Sequence, residues 1–331
     1  MRPSSNGTVG SEEELEGTAK SSRGASTWAT HAALLVVQIA FASQAVEAKV
    51  AMLPRAEGGE AIQAEAIAMV RMVGAAIFFQ AAVFSSRRLR QRPRLVARVH
   101  AKLAVLAVLG VALNQALFLA GLRESSPFVV SLLGATIPVL TAALAILFRK
   151  EAASWRTGVG VALAFSGVGW LTGIGSTGQI DRGALLVALN CLSYSAYVVF
   201  SRDVVLEVGS MRFMAWVFTY GAMLFAPLGA VAFVSELSLL TFRGWLLLAY
   251  IVAIPTIVAY GLNAWALARS TASMVTIYIY LQPLLAALLA RVQLGHAVSS
   301  RAGVAALLIL GGVGVTTLKR RATAARGPSR G

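Results

Sequence analysis

The sequence predicts an all-α integral membrane protein with ten transmembrane helices, arranged as two inverted five-helix repeats. Three observations lead there. The 331-residue chain is 57% hydrophobic and only 13% charged, with a mean hydropathy of +0.73. A soluble domain carries about a quarter charged residues. The 29 Lys and Arg stand in tight clusters between long apolar runs, the distribution by which membrane-protein loops are oriented. The chain also matches itself at an offset of about 145 residues, the mark of an internal repeat.

The same numbers exclude several classes. A disordered chain needs low hydrophobicity and high charge. A nucleic-acid-binding domain displays its charge as a stripe on a water-soluble surface, so the net +15 points to membrane orientation and no nucleic-acid partner is expected. Cys191 is the one cysteine and lies in an apolar run, which removes disulfide frameworks and Cys-based metal sites. His31, His100 and His296 are scattered, and neither HExxH nor CxxC occurs. No metal, no cofactor and no catalytic residue is therefore expected. Nor is there a Walker A motif, so direct ATP drive is not expected.

In chain order, residues 1–27 are polar and Ser/Gly-rich with an acidic run, and read as a disordered cytoplasmic tail. The first half, residues 28–174, holds apolar runs at Trp28–Met52, Ala66–Phe84, Leu103–Leu122, Pro127–Phe148 and Thr157–Ile174. The second, residues 183–318, holds Gly183–Ser201, Phe213–Val234, Trp245–Ala268, Ala272–Val292 and Gly303–Leu318. Each approaches the 20 or so residues that cross a bilayer as a helix. Residues 319–331 form a basic cytoplasmic tail. With the N-terminus inside, about 21 Lys and Arg fall on the cytoplasmic side, led by the cluster SSRRLRQRPR, and about 7 fall outside. Both termini are then cytoplasmic, which requires an even number of spans.

Sliding the chain by about 145 residues lays LRESSPFVVSLLGATIPVLTAALAILFRKE over LARSTASMVTIYIYLQPLLAALLARVQLGH. Pro138 falls on Pro283, Arg156 on Arg301, Gly158 on Gly303, Gly167 on Gly312 and Gly169 on Gly314. Spans four and five thus correspond to nine and ten. Five spans per repeat invert the second copy, the arrangement of secondary transporters with a midplane substrate site.

On these motifs the sequence resembles the drug/metabolite transporter superfamily, specifically ten-helix proteins with two EamA-type domains. The likeness covers about residues 28–320. It is carried by the short segment that ends each half's third helix, then a helix with a central proline, Pro138 or Pro283, then an acidic position. That position is Glu151 in the first half and His296 in the second. Arg71, in AIAMVRMVGAAIFF, matches an arginine the family often carries in helix two. The resemblance implies a non-enzymatic transporter that moves a small organic metabolite, an amino acid or related solute, by export. It also implies a bacterial inner membrane and a cavity walled by helices one, three, four, six, eight and nine. A sugar or nucleotide-sugar carrier of the same superfamily is the alternative; from another class, an intramembrane lipid-modifying enzyme is.

Polar groups inside a bilayer are costly and mark function or helix contacts. Glu47, Lys49 and Arg71 are the charges expected there. Glu47 and Arg71 each lie roughly 10 Å below the outer end of their helix, at about 1.5 Å per residue. Two readings stay open: Glu47 exchanges a proton with Arg71 stabilising its charged form, or the two make a fixed pair or reach to the surface. Candidate substrate-binding residues are Gln44, Asn114, Gln115, Asn190, Tyr194, Tyr197, Tyr260, Tyr280 and Gln282, with Gln38 and Thr256 nearby. Amides and phenols can hydrogen-bond a polar solute, or else join helices. Pro138 and Pro283 are hinges or static kinks. Glycines of the fifth and tenth helices read as close packing between the two, or as a homodimer face. Partners are then a small-molecule substrate, membrane lipid, a coupling proton and a second copy.

Overall fold

The computed structural model describes residues 9–150, 155–172, 181–270 and 272–295, and positions 303, 304, 307, 308 and 311, with most side chains from Trp28 onward. Among the described residues every regular element is helical. Besides the short helical turns Arg55–Glu57 and Arg87–Arg90, they are in order α1 (Val9–Met52), α2 (Ala64–Ser85), α3 (Ala97–Glu124), α4 (Pro127–Leu147), α5 (Trp155–Thr172), α6 (Arg182–Val208), α7 (Ser210–Leu237), α8 (Phe242–Leu267) and α9 over 272–294. Seven are long and apolar enough to cross a membrane: the Trp28–Met52 part of α1, then α2, α3, α4, α6, α7 and α8. The expected tenth span, apart from the five isolated positions, and the basic tail lie outside the described residues.

α1 begins earlier than the composition suggests. Its backbone is helical from Val9, through most of the stretch read as a disordered tail. The acidic run Glu12–Glu14, Leu15 and Glu16 consists of good helix formers, and a long apolar helix follows to extend from.

Local chemistry sets other boundaries. Ser126 accepts from the Val129 amide ahead of Pro127, which opens α4 without a donor to satisfy. Asp181 accepts from the Ala184 amide at 3.0 Å to start α6, and Thr241 accepts from the Gly244 amide at 3.0 Å to start α8. Lys49 Nζ donates to the carbonyls of Leu122, Arg123 and Ser125 at 2.9, 2.9 and 3.0 Å. It therefore places a positive charge at the C-terminus of α3, where the helix dipole favours one.

The helices are interrupted at matched places. α3 contains a π turn over Val108–Ala112 and α8 one over Ala253–Val258, starting at positions the repeat offset apart. α4 breaks at 135–136 before Ile137–Leu147. α9 passes through a 3-10 turn, Tyr278–Leu281, before Gln282–Leu294. Pro138 and Pro283 are consequently the second residues of new segments and do not sit inside continuous helices. A proline ring excludes the preceding turn's carbonyl, and the first turn of a helix is where that costs least.

α2 packs along α7, α3 against α6, α1 against α8 and α9, and α4 against α9. The core runs through all of these. Large apolar side chains such as Ile77, Leu228 and Val231 face outward, the surface expected of a protein in hydrocarbon. A Cβ at Gly158, Gly303 or Gly311 would meet nothing among the described residues within 4 Å, and most of the tenth helix expected to pack on α5 lies outside those residues. Close approach occurs instead at Gly110, where a Cβ would lie 2.2 Å from the Tyr197 ring, and at Gly121 against Val187.

Candidate functional site

The interruptions in α4 and α9 open a cavity between the helices. It is lined from α1 by Gln38, Phe41, Gln44 and Ala45, and from α3 by Asn114, Gln115 and Phe118. α4 supplies Val130, Ser131, Gly134 and Ile137, and α6 supplies Asn190 and Tyr194. Tyr260 and Asn263 come from α8; Val275, Thr276, Ile279 and Gln282 come from α9. These six helices are the cavity walls the resemblance implies. About 80 Å³ is open to water-sized species, room for several waters and well below a drug-sized pocket of roughly 300–1,000 Å³.

Most of the lining falls into pairs at the repeat offset: Ala45 with Asn190, Gln115 with Tyr260, Phe118 with Asn263, Val130 with Val275, Ser131 with Thr276, Gly134 with Ile279, and Ile137 with Gln282. The cavity thus draws equivalent positions from both halves of the chain.

Its polar groups are linked. Gln282 Nε2 donates to Gln38 Oε1 at 2.5 Å, joining α9 to α1. Gln115 Nε2 donates to the Tyr260 hydroxyl at 3.0 Å. Asn190 Nδ2 donates to the Asn114 carbonyl at 2.7 Å, and Asn263 Nδ2 to the Tyr194 hydroxyl at 3.1 Å. The Tyr260 ring is held edge-on by Phe41 and Phe218, with centroids 5.4 and 5.2 Å away.

Behind this wall lies Arg71, 1% exposed. Its Nε donates to Thr256 Oγ1 at 2.8 Å, its Nη2 to Gln44 Oε1 at 3.0 Å, and its Nη1 to Gln115 Oε1. All three acceptors are neutral. Glu47 is elsewhere: half-buried, it accepts from Gln293 Nε2 of α9 at 3.0 Å. The expected Glu47–Arg71 pair is not formed among the described residues. Arg71 turns from α2 toward α3 and α8, while Glu47 leaves α1 on the α9 side. Lys49 reaches neither, being spent on the end of α3.

Of the candidate binding residues, Gln44, Asn114, Gln115, Asn190, Tyr194, Tyr260 and Gln282 line the cavity. Tyr197 and Tyr280 do not. Tyr197 packs on Gly110 and Phe213 behind the wall. The Tyr280 hydroxyl is buried with no hydrogen-bond partner among the described residues. Asn263, Thr276, Phe41 and Phe118 line the cavity and were not among the candidates. The repeat offset pairs Phe118 with Asn263 and carries Ser131 to Thr276, a signal already present in the sequence.

Comparison with known proteins gives a consistent result. Residues 29–173 and 181–318 match the model of the EamA-like transporter family. A Bacillus subtilis (strain 168) protein named "Uncharacterized transporter YdfC" is 28% identical over 220 residues, 65% of this chain and 70% of that one. The Arabidopsis thaliana "Protein WALLS ARE THIN 1" is 22% identical over 262 residues, 68% of this chain and 67% of that one. A solved crystal structure, 18% identical, superposes with a TM-score of 0.60 over 90% of this chain and 99% of its own.

Proposed function

This chain belongs to the EamA-like transporter family, and we propose that it is a secondary active transporter that exports a small organic solute by alternating access. The family is one of transporters and the chain is an integral membrane protein. The finer reading is ten helices in two inverted five-helix repeats, with residues 28–174 and 183–318 as the two halves. It places both termini on the cytoplasmic side, on the strength of the arginine clusters, and the membrane as a bacterial inner one, on the family resemblance alone.

One observation carries the mechanism: the cavity is lined by residue pairs at the repeat offset. A site on the axis between two inverted halves is reached from one side or the other as the halves rock. Matched interruptions in α3 and α8, and in α4 and α9, support the same reading. Broken helices at membrane depth are tolerated where they line a cavity.

The lining suits an amino acid or a related metabolite. Amides of Gln44, Asn114, Asn190 and Gln282 offer donors and acceptors, and Phe41 and Phe118 offer an apolar seat. Sugar phosphates and nucleotides call for paired Arg or Lys at the ligand, and no Arg or Lys is among the lining residues.

A thermal-shift screen of the purified protein tests this. The panel holds the amino acids, small organic acids, free sugars and UDP-glucose. A ligand that binds only the folded state raises the unfolding temperature. Stabilisation by amino acids or small acids is the expected result; stabilisation by UDP-glucose alone, or by nothing in the panel, overturns the reading.

A further inference from the structure

Among the described residues, Arg71 is a charge without a counter-charge. It is 1% exposed in the helix core, and its three partners are the side-chain oxygens of Thr256, Gln115 and Gln44. The four ion pairs among the described residues, Lys102–Glu207, Lys150–Asp203, Arg182–Glu124 and Arg243–Glu60, leave it out. A guanidinium stays protonated and has five N–H donors. Buried charges are ordinarily paired, because the field of an unpaired one is poorly screened in a low-dielectric interior.

Two of the three partners carry that field to the cavity. Gln44 and Gln115 both line the cavity, and both turn their amide oxygens to the guanidinium. The opposite end of each amide therefore faces away from Arg71. Gln115 Nε2 is engaged by Tyr260 and Asn114. Gln44 Nε2 has no hydrogen-bond partner among the described residues. A polarised NH2 group backed by a buried cation is thus presented at the cavity wall.

We propose that the transported solute carries a carboxylate, which accepts from the Gln44 NH2 group with Arg71 as its counter-charge through the amide. This rests on the transporter reading above and adds the chemical class of the solute and the residues that select it. Because charge-assisted hydrogen bonds are about twice as strong as neutral ones, the pair would discriminate an acid from its amide. A carboxylate reaches the site on an amino acid or on a simple monocarboxylic acid, and the two sources separate by experiment.

The test is thermal shift and competition binding with two matched series: alanine, propionate and alaninamide; leucine, 4-methylpentanoate and leucinamide. Acids are expected to stabilise the wild type and amides not, with affinity lower by about tenfold or more for the amide. Stabilisation by the amino acids alone assigns the amino group a second contact; stabilisation by both kinds of acid assigns recognition to the carboxylate. Arg71→Gln is expected to lose the acid-dependent shift. Since that variant removes a buried anchor, Gln115→Glu serves beside it: it supplies an internal carboxylate next to Arg71 in a side chain of the same size and shape, and is expected to abolish the acid preference. Equal stabilisation by acids and amides, or an acid preference that survives in folded Gln115→Glu, overturns the proposal and leaves the transporter reading standing. Failure of every solute in both series and in the wider panel overturns both.

Discussion

Gln115 and Tyr260 are 145 residues apart and touch, Gln115 Nε2 donating to the Tyr260 hydroxyl at 3.0 Å. The offset that aligns the two halves of the sequence is therefore also the separation of two residues in contact. A residue that meets its own counterpart lies on the axis relating the halves. Both line the cavity, so on the proposed reading of two inverted halves that axis would pass through it. Tyr260→Phe keeps the ring contacts with Phe41 and Phe218 and removes only the hydroxyl. The stability cost is expected to be about 0.6 kcal/mol, the mean for a hydrogen bond between membrane helices, while the KM of transport rises severalfold. Parallel measurement of unfolding and flux decides it; an unchanged KM reduces the pair to a structural contact.

Gln282 and Gln38 join α9 to α1 across the cavity at 2.5 Å, and Gln38 is 1% exposed. Gln282→Leu strands a buried amide, at a cost of about 1–3 kcal/mol. Replacing both by Leu removes the donor and the acceptor together. A double-mutant cycle on unfolding free energy is expected to show a coupling of at least about 0.5 kcal/mol; strict additivity would mean the bond contributes nothing.

Gly110→Ala sets a methyl carbon 2.2 Å from the Tyr197 ring. Overpacking of this kind costs about 1–3 kcal/mol. Tyr197→Ala in the same chain vacates that space and is expected to recover part of the loss, measured by thermal denaturation of the single and double variants. Tyr197 lies behind the cavity wall, so Tyr197→Phe is expected to leave solute affinity unchanged.

Glu47 accepts from Gln293 and not from Arg71. If it carries the coupling proton, Glu47→Gln retains solute exchange at equal pH on both sides and loses acceleration by a pH gradient. Arg71→Lys is expected to leave the gradient effect in place, because Arg71 does not touch the acid. Flux at matched and unmatched pH reads both outcomes. A gradient response that persists in Glu47→Gln removes the proton from this residue.

Much of the fold was legible in the sequence. Pro127–Phe148 matches the structure's Pro127–Leu147 almost to the residue, and the first span ends at Met52 as expected, since apolar length and flanking charge suffice to mark a span. Seven candidate binding residues line the cavity, where amides and phenols at helix centres find polar partners. Azimuth was not legible. In helices apolar all round, periodicity does not say which face is inward, so Tyr197 and Tyr280 were grouped with Tyr194 and Tyr260. For the same reason a Glu47–Arg71 pair stays open on the sequence, where the two are similar in depth. The π turns in α3 and α8 rotate the residues that follow them, and nothing in the composition marks them. The repeat offset marks further lining residues: Phe118 leads to Asn263 and Ser131 to Thr276, all four in the cavity.

Flux through the reconstituted protein bears most directly on the central reading. Proteoliposomes are loaded with unlabelled amino acids or small acids, and entry of the labelled form is followed with and without an imposed pH gradient. The expected result is saturable counterflow of at least one small organic solute, stimulated by preloading and inhibited by competing solutes. Uptake equal to that of empty liposomes for every solute, or a non-saturable flux indifferent to preloading, would contradict alternating access at this cavity.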